Sequence, residues 1–168
     1  MCASLGEVLL VYHAAQQQEA GRRIEEAARW LENNKLHLAQ WFTVDYLIHL
    51  KRGGRVSGAA AFFGTMLNIK PVLHVDDAGH LIPMEKVRGR KASLDALVAH
   101  MEKDAVDPAS QTVFISHGDC RADAEYVADL VREKFGTQDI RIHSIGPVIG
   151  SHSGPGTVAL FYLGRTRG

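Results

Sequence analysis

The stretch from Thr112 to Ile145 constrains the fold of this chain most. A short apolar run, Thr112 to Ser116, precedes an amphipathic helix pattern from Arg121 to Phe135. Gly136 closes that helix, and a second strand-like run spans Ile140 to Ile145. Strand-like runs alternating with helices imply an α/β layer architecture. The pattern continues on both sides. Ser93 to Lys103 is a helix with Leu94, Leu97, Val98 and Met101 on one face, and Val158 to Leu163 is a last apolar strand. Upstream, Ile69 to Val75 and His80 to Val87 flank the turn Asp76-Asp77-Ala78-Gly79, a hairpin signal. A hairpin joined to strand–helix units makes the sheet mixed rather than purely parallel. The expected fold is therefore α/β, with a mixed sheet flanked by helices.

The first fifty residues read differently. Ser4 to Ala20 is a helix pattern with Ser4 as N-cap, Glu7 completing a capping box and Gly21 as the stop. Arg22 to Asn33 is a second helix with Ile24, Ala27, Ala28 and Leu31 on one face. Leu36 to Val44 then alternates as a strand, and Asp45 is placed to cap a short helix from Tyr46 to Leu50. Ser57 to Leu67 is a helix of small residues, suited to close packing or to leaving room for a ligand. Two helices that precede every strand have no sheet yet to cover. Their apolar faces call for a partner in a longer protein or in another chain.

Composition excludes some function classes. The formal net charge is +0, which gives no electrostatic case for nucleic acid or an anionic membrane surface. Two cysteines, Cys2 and Cys120, make neither a disulfide framework nor a zinc signature, so a reducing compartment is expected. Met1 to Glu7 lacks a basic leader, and no run of about 20 apolar residues could cross a bilayer. A cytoplasmic protein is the expectation.

Chemistry concentrates in the segment Ile145 to Thr157, which reads as a glycine-rich turn between two strands. It carries Ser151, His152, Ser153 and Thr157 among four glycines. Glycines let backbone groups approach a ligand, and hydroxyls with an imidazole make a carboxylate or phosphate site. Two Gly-Pro pairs in the same segment also fit ordinary turn punctuation with a solvated His152. Ser116-His117-Gly118-Asp119-Cys120 follows a strand and opens a helix. His117 is a possible second polar group, and Asp119 serves equally well as an N-cap. Arg52-Gly53-Gly54-Arg55 reads as a helix C-cap with exposed arginines or as an anion contact. Lys86 to Lys91 is a basic run fitted to a solvated rim or an acidic partner. The chain has no Gly-x-Ser-x-Gly elbow, no Walker loop and no metal-ligand spacing of its histidines. A hydrolase built on Ser116, His117 and Asp119 is a minor third reading.

Four strings resemble the DegV family of bacterial fatty-acid-binding proteins. They are Trp41 to Asp45, Leu50 to Ser57, Gly64 to Pro71 and Gly146 to Gly156, in the family's order and at similar spacing. Ser4 to Glu7 and Leu10 to Tyr12 are similar to the family's mid-chain helix. The resemblance covers essentially the whole chain, but only the latter part of the family's pattern. It implies the second lobe of a two-lobed fold, with residues 51–168 as the C-terminal α/β lobe. Residues 1–50 are then a helical remnant of the first lobe with a connecting strand. The family's two hydroxyl-bearing turns from the first lobe have no counterpart here.

The resemblance also implies a function and roles for residues. A long-chain fatty acid is the bound ligand, and no other cofactor or metal is expected. His152, with Ser151 and Ser153, would hold the carboxylate. Arg55, supported by Arg52, would sit near the head group and assist phosphoryl transfer or docking. Phe62, Phe63 and Met66 would line the acyl tunnel. The protein would not itself be an enzyme. It would present the lipid to a separate ATP-dependent fatty-acid kinase that makes an acyl phosphate for phospholipid synthesis. The alternative is a truncated lobe that keeps only a protein-docking role, without lipid binding of its own.

Overall fold

A computed structural model describes residues 3–55 and 68–168. The predicted helix from Ser57 to Leu67, with Phe62, Phe63 and Met66, lies outside the described residues. The described elements begin with α1 (Leu5–Glu19), α2 (Ile24–Asn34), β1 (Leu38–Thr43) and α3 (Ile48–Arg52). The hairpin β2 (Ile69–Val75) and β3 (Leu81–Arg88) follows, then α4 (Arg90–Asp104), β4 (Val113–His117) and α5 (Arg121–Phe135). The chain closes with β5 (Ile140–Ser144), α6 (Pro147–Ser153) and β6 (Val158–Leu163).

One six-stranded sheet runs in the order β3-β2-β1-β6-β4-β5. Only β4 and β5 pair in parallel, joined across α5; the other neighbours are antiparallel. The expected mixed α/β architecture is what the chain forms. β1 lies in the sheet's interior, with Trp41 opposite both His74 and Leu160. All six of its residues are buried, because both faces of the sheet are covered. Pro83 sits on β3, an edge strand, where its missing N–H costs no ladder bond on the open side.

The two faces hold separate cores. Ala39, Trp41, Ile115, Leu160 and Tyr162 pack under α4 and α5, against Leu97, Met101, Val127 and Val131. On the other face Leu38, Phe42, Phe114, Ala159 and Phe161 pack with Leu5 and Leu9 of α1 and Leu50 of α3. So α1 finds its cover on the sheet of this same chain. α2 does not: it buries no residue, and Ile24 is 79% exposed.

Several local readings are corrected. Ser4 precedes α1 at φ 54° with no capping bond; its hydroxyl donates to Ser116 Oγ at 3.3 Å instead. The short helix begins after Leu47, not at Tyr46, and Asp45 does not cap it. The Asp45 carboxylate instead takes the Lys70 ammonium at 2.7 Å. Cys120, not Asp119, occupies the cap position before α5. The glycine-rich segment is not a plain turn, because Pro147 to Ser153 forms a helix with Pro in its first turn. Proline's fixed φ and missing N–H suit that position. The basic run is only partly a solvated rim. Arg90 turns inward and its guanidinium donates to Asp123 Oδ2 at 2.7 and 2.9 Å.

Candidate functional site

The alternation of β1 and β6 builds the floor of the site. Gln40 and Phe42 share a face, and across the ladder they meet Phe161 and Ala159. Leu50 of α3, Val75 and Leu81 of the hairpin, and Val148 and Ile149 of α6 supply the walls. Together they enclose a cavity of about 280 Å³. That is near the lower edge for ligand pockets, which run from roughly 300 to 1,000 Å³. Val148 stands at this cavity and is 72% exposed, so one side is open.

A few polar groups punctuate the apolar walls. His152, Ser153, Thr157 and Arg55 are among the lining residues. Ser153 is 5% exposed, and its hydroxyl has no hydrogen-bond partner among the described residues. Thr157 is committed, since its hydroxyl donates to the Gly154 carbonyl at 2.8 Å. Ser116 and Gln40 line it too, and the Gln40 Nε2 is also buried without a partner among the described residues. Buried donors left unpaired cost free energy, on the order of 1–3 kcal/mol each, and a ligand acceptor relieves that cost.

The expected site residues divide into four groups. His152, Ser153 and Arg55 meet at the cavity. Ser151 does not: it is exposed, and its hydroxyl donates to the Val148 carbonyl at 2.8 Å within α6. Arg52 ends α3 on the exposed surface, away from the cavity lining. Arg55 folds back so that its Nη1 donates to the Gly53 carbonyl at 2.7 Å. His117 faces the opposite side of the sheet from Ser116. It lines a separate shallow depression with Asp119, Ser144 and Gly150, and its Nδ1 is buried without a partner among the described residues. The Ser116–His117–Asp119 hydrolase arrangement therefore does not form, since adjacent strand residues point apart. Phe62, Phe63 and Met66 are outside the described residues.

Sequence reasoning missed Gln40 and Phe161 as cavity residues. The signal was present: Gln40 is a lone amide within the apolar run Leu38 to Phe42, at the parity of its apolar neighbours. The charged cluster behind the site is structural. Arg90 lies 3.8 Å from Asp45 as well as on Asp123, and burial raises the pKa of the Cys120 thiol beside it. Among the described residues no group of three His, Cys, Asp or Glu side chains could hold a metal. No helix among them is long and apolar enough to cross a membrane.

A family model described as "Uncharacterised protein, DegV family" matches residues 1–165. The chain belongs to the DegV family. A DegV domain-containing protein of Clostridium perfringens is 53% identical over 165 residues, covering 98% of this chain and 57% of its own length. Among solved structures, a fatty-acid-binding DegV family protein from Thermus thermophilus superposes with a TM-score of 0.79 at 30% identity. That match covers 95% of this chain and 57% of the other. The Streptococcus pneumoniae fatty acid kinase (Fak) B3 protein, loaded with linoleic acid, superposes with a TM-score of 0.82 at 21% identity. It covers 92% of this chain and 54% of the other, a likeness that shows the DegV fold. The chain spans little more than half the length of these DegV relatives.

Proposed function

We propose that this chain contributes one wall of a fatty-acid site, with the carboxylate at His152 and Ser153 and the acyl chain along the sheet. The observation that carries this reading is the cavity itself. Phe42, Ala159, Phe161 and Leu50 give the cavity an apolar lining, and the Ser153 hydroxyl, unpaired among the described residues, and the His152 imidazole line the same cavity. That division suits a lipid. Each methylene withdrawn from water stabilises binding by about 0.8 kcal/mol, while one polar anchor fixes the direction. The Thermus thermophilus relative, a fatty-acid-binding protein at 30% identity, supports the ligand class.

The finer part of the proposal concerns the partner. The fatty acid would be presented to a separate ATP-dependent kinase for acyl-phosphate formation, with Arg55 near the head group. The fold likeness to the fatty acid kinase (Fak) B3 protein supports this reading. The reaction would then be the partner's, and this chain would hold and orient the lipid.

Native mass spectrometry of the purified chain, alone and after incubation with palmitic or oleic acid, tests the binding. A complex of polypeptide plus one acid is expected, and it is lost in His152→Ala. Bare polypeptide under all conditions would leave only a docking role. For the partner, an ATP-dependent fatty-acid kinase incubated with the loaded chain is expected to yield acyl phosphate, and Arg55→Ala to reduce it. Equal acyl-phosphate production without this chain would remove it from that reaction.

A further inference from the structure

The two short helices at the mouth of the cavity hold each other through exchanged histidines. Gly53 closes α3 at φ −73°, ψ −4°, an ordinary helical conformation that any residue adopts. Backbone freedom is therefore not what requires glycine there. A Cβ on Gly53 would fall on Nδ1 of His152, inside the 3.0 Å that real Cβ contacts essentially never breach, and 3.3 Å from its Cγ. The neighbouring Gly54 is the reverse case: its φ is +68°, and a Cβ would meet nothing within 4 Å among the described residues. Two adjacent glycines thus serve different ends, one steric and one conformational.

The contact is reciprocated from the other helix. Gly154, just past α6, would carry a Cβ 2.6 Å from Cγ and 2.9 Å from Nε2 of His49 on α3. His49 therefore occupies the space left by one missing side chain, and His152 the space left by the other. The His49 carbonyl also accepts the Gly53 N–H at 2.9 Å, which ties the seat of one histidine to the backbone of the other.

We propose that Gly53 and His49 are positioning residues for His152. They fix the imidazole against α3 so that it faces the cavity in one rotamer before any ligand arrives. The proposal rests on the fatty-acid reading of the cavity for its consequence, but not for its geometry. A donor already held in place loses less side-chain freedom on binding, an advantage of up to about tenfold in affinity. Because the gain acts through the imidazole, it is larger for a carboxylate, which takes a charge-assisted bond, than for an uncharged alcohol of the same length.

Two readouts test this. The first needs no lipid: the ring resonance of His152 in a carbon–proton NMR spectrum, assigned by its loss in His152→Ala. Gly53→Ala is expected to shift or broaden that resonance, and so is His49→Ala, which adds no atom and cannot clash. Gly136→Ala, distant at the end of α5, is expected to leave it unchanged. An unmoved His152 resonance in both Gly53→Ala and His49→Ala would overturn the proposal. The second readout is the affinity ratio of palmitic acid to hexadecanol, by competition with a fluorescent fatty acid. Gly53→Ala is expected to lower that ratio, by up to about tenfold, and to lower it no further once His152→Ala is present. An additive loss in the double variant would likewise overturn it. Binding of neither lipid by the parent chain would refute the fatty-acid reading, while the ring resonance would still decide the role of Gly53 and His49.

Discussion

Ser151 and Ser153 are two positions apart on α6 and face different surroundings. Ser151 is exposed and bonded within its helix, while Ser153 is buried and unpaired at the cavity. Ser153→Ala is therefore expected to weaken palmitic acid binding by about 1.5–3 kcal/mol, the range for a hydrogen bond to a charged group. Ser151→Ala is expected to leave it unchanged, and a fluorescent displacement assay separates the two. The sequence placed both hydroxyls beside His152 but held no sign of which way each pointed, because it read the segment as a turn. Asp45 and Asp119 teach the same lesson. Each stands where a cap belongs, yet Asp45 is drawn off by Lys70, and Asp119, at φ 52°, sits one residue before the cap position that Cys120 occupies. At Asp45 a long-range ion pair overrides local capping, and nothing in the local string announces it. The histidines behind the sheet supply a second prediction at this scale. His100 stacks on Trp41 with ring centroids 3.5 Å apart, and His74 lies 5.1 Å from the same indole. Burial lowers both pKa values below the ordinary 6.5, outweighing Asp76 beside His74 and Glu85 beside His100. The unfolded chain then takes up these protons first as the pH falls. Stability is expected to hold above about pH 6.5 and to decline below it. Denaturant midpoints across that range check this; a flat profile would contradict it.

At the scale of elements, α1 shows what anchors a helix whose cap fails. Its first residues are buried through Leu5 and Leu9, while further on the Tyr12 hydroxyl meets a cluster at the β4–β5 edge. Thr112 donates to Asp139 at 2.7 Å, and Tyr12 and Arg141 join the same carboxylate at 3.5 and 3.1 Å. Tyr12→Phe is expected to cost about 1 kcal/mol by denaturant unfolding. Arg141, the largest contributor, holds the Asp139 carboxyl below its ordinary 3.8, so this cluster's stabilisation is present above that pH and is lost below it, as the pH falls through the lowered value of the folded state. Strand–helix patterns made α5 and β6 legible to the residue, since Gly136 stops one at φ 72° and the apolar run defines the other. α6 was not legible. The glycines and prolines in and around it carry turn statistics, although Pro147 suits the first turn of a helix and α3 packs against it.

For the whole molecule, the sheet order could not be read from the chain. Hydrophobic periodicity gives strands but not neighbours, and β6, the last strand, inserts between β1 and β4. That insertion joins the start and the end of the chain in one sheet. Leu160, fully buried on β6, is therefore expected to report on all of it: Leu160→Ala should cost about 2–5 kcal/mol in a single cooperative transition. The same sheet carries the trough in which the proposed lipid lies, so binding should raise the unfolding temperature of the whole chain. The most direct test is a crystal structure of this chain grown with palmitic acid. The carboxylate is expected within hydrogen-bond distance of His152 and Ser153, and the acyl chain along Phe42, Ala159 and Phe161. An empty trough, or an acid bound with its carboxylate elsewhere, would contradict it.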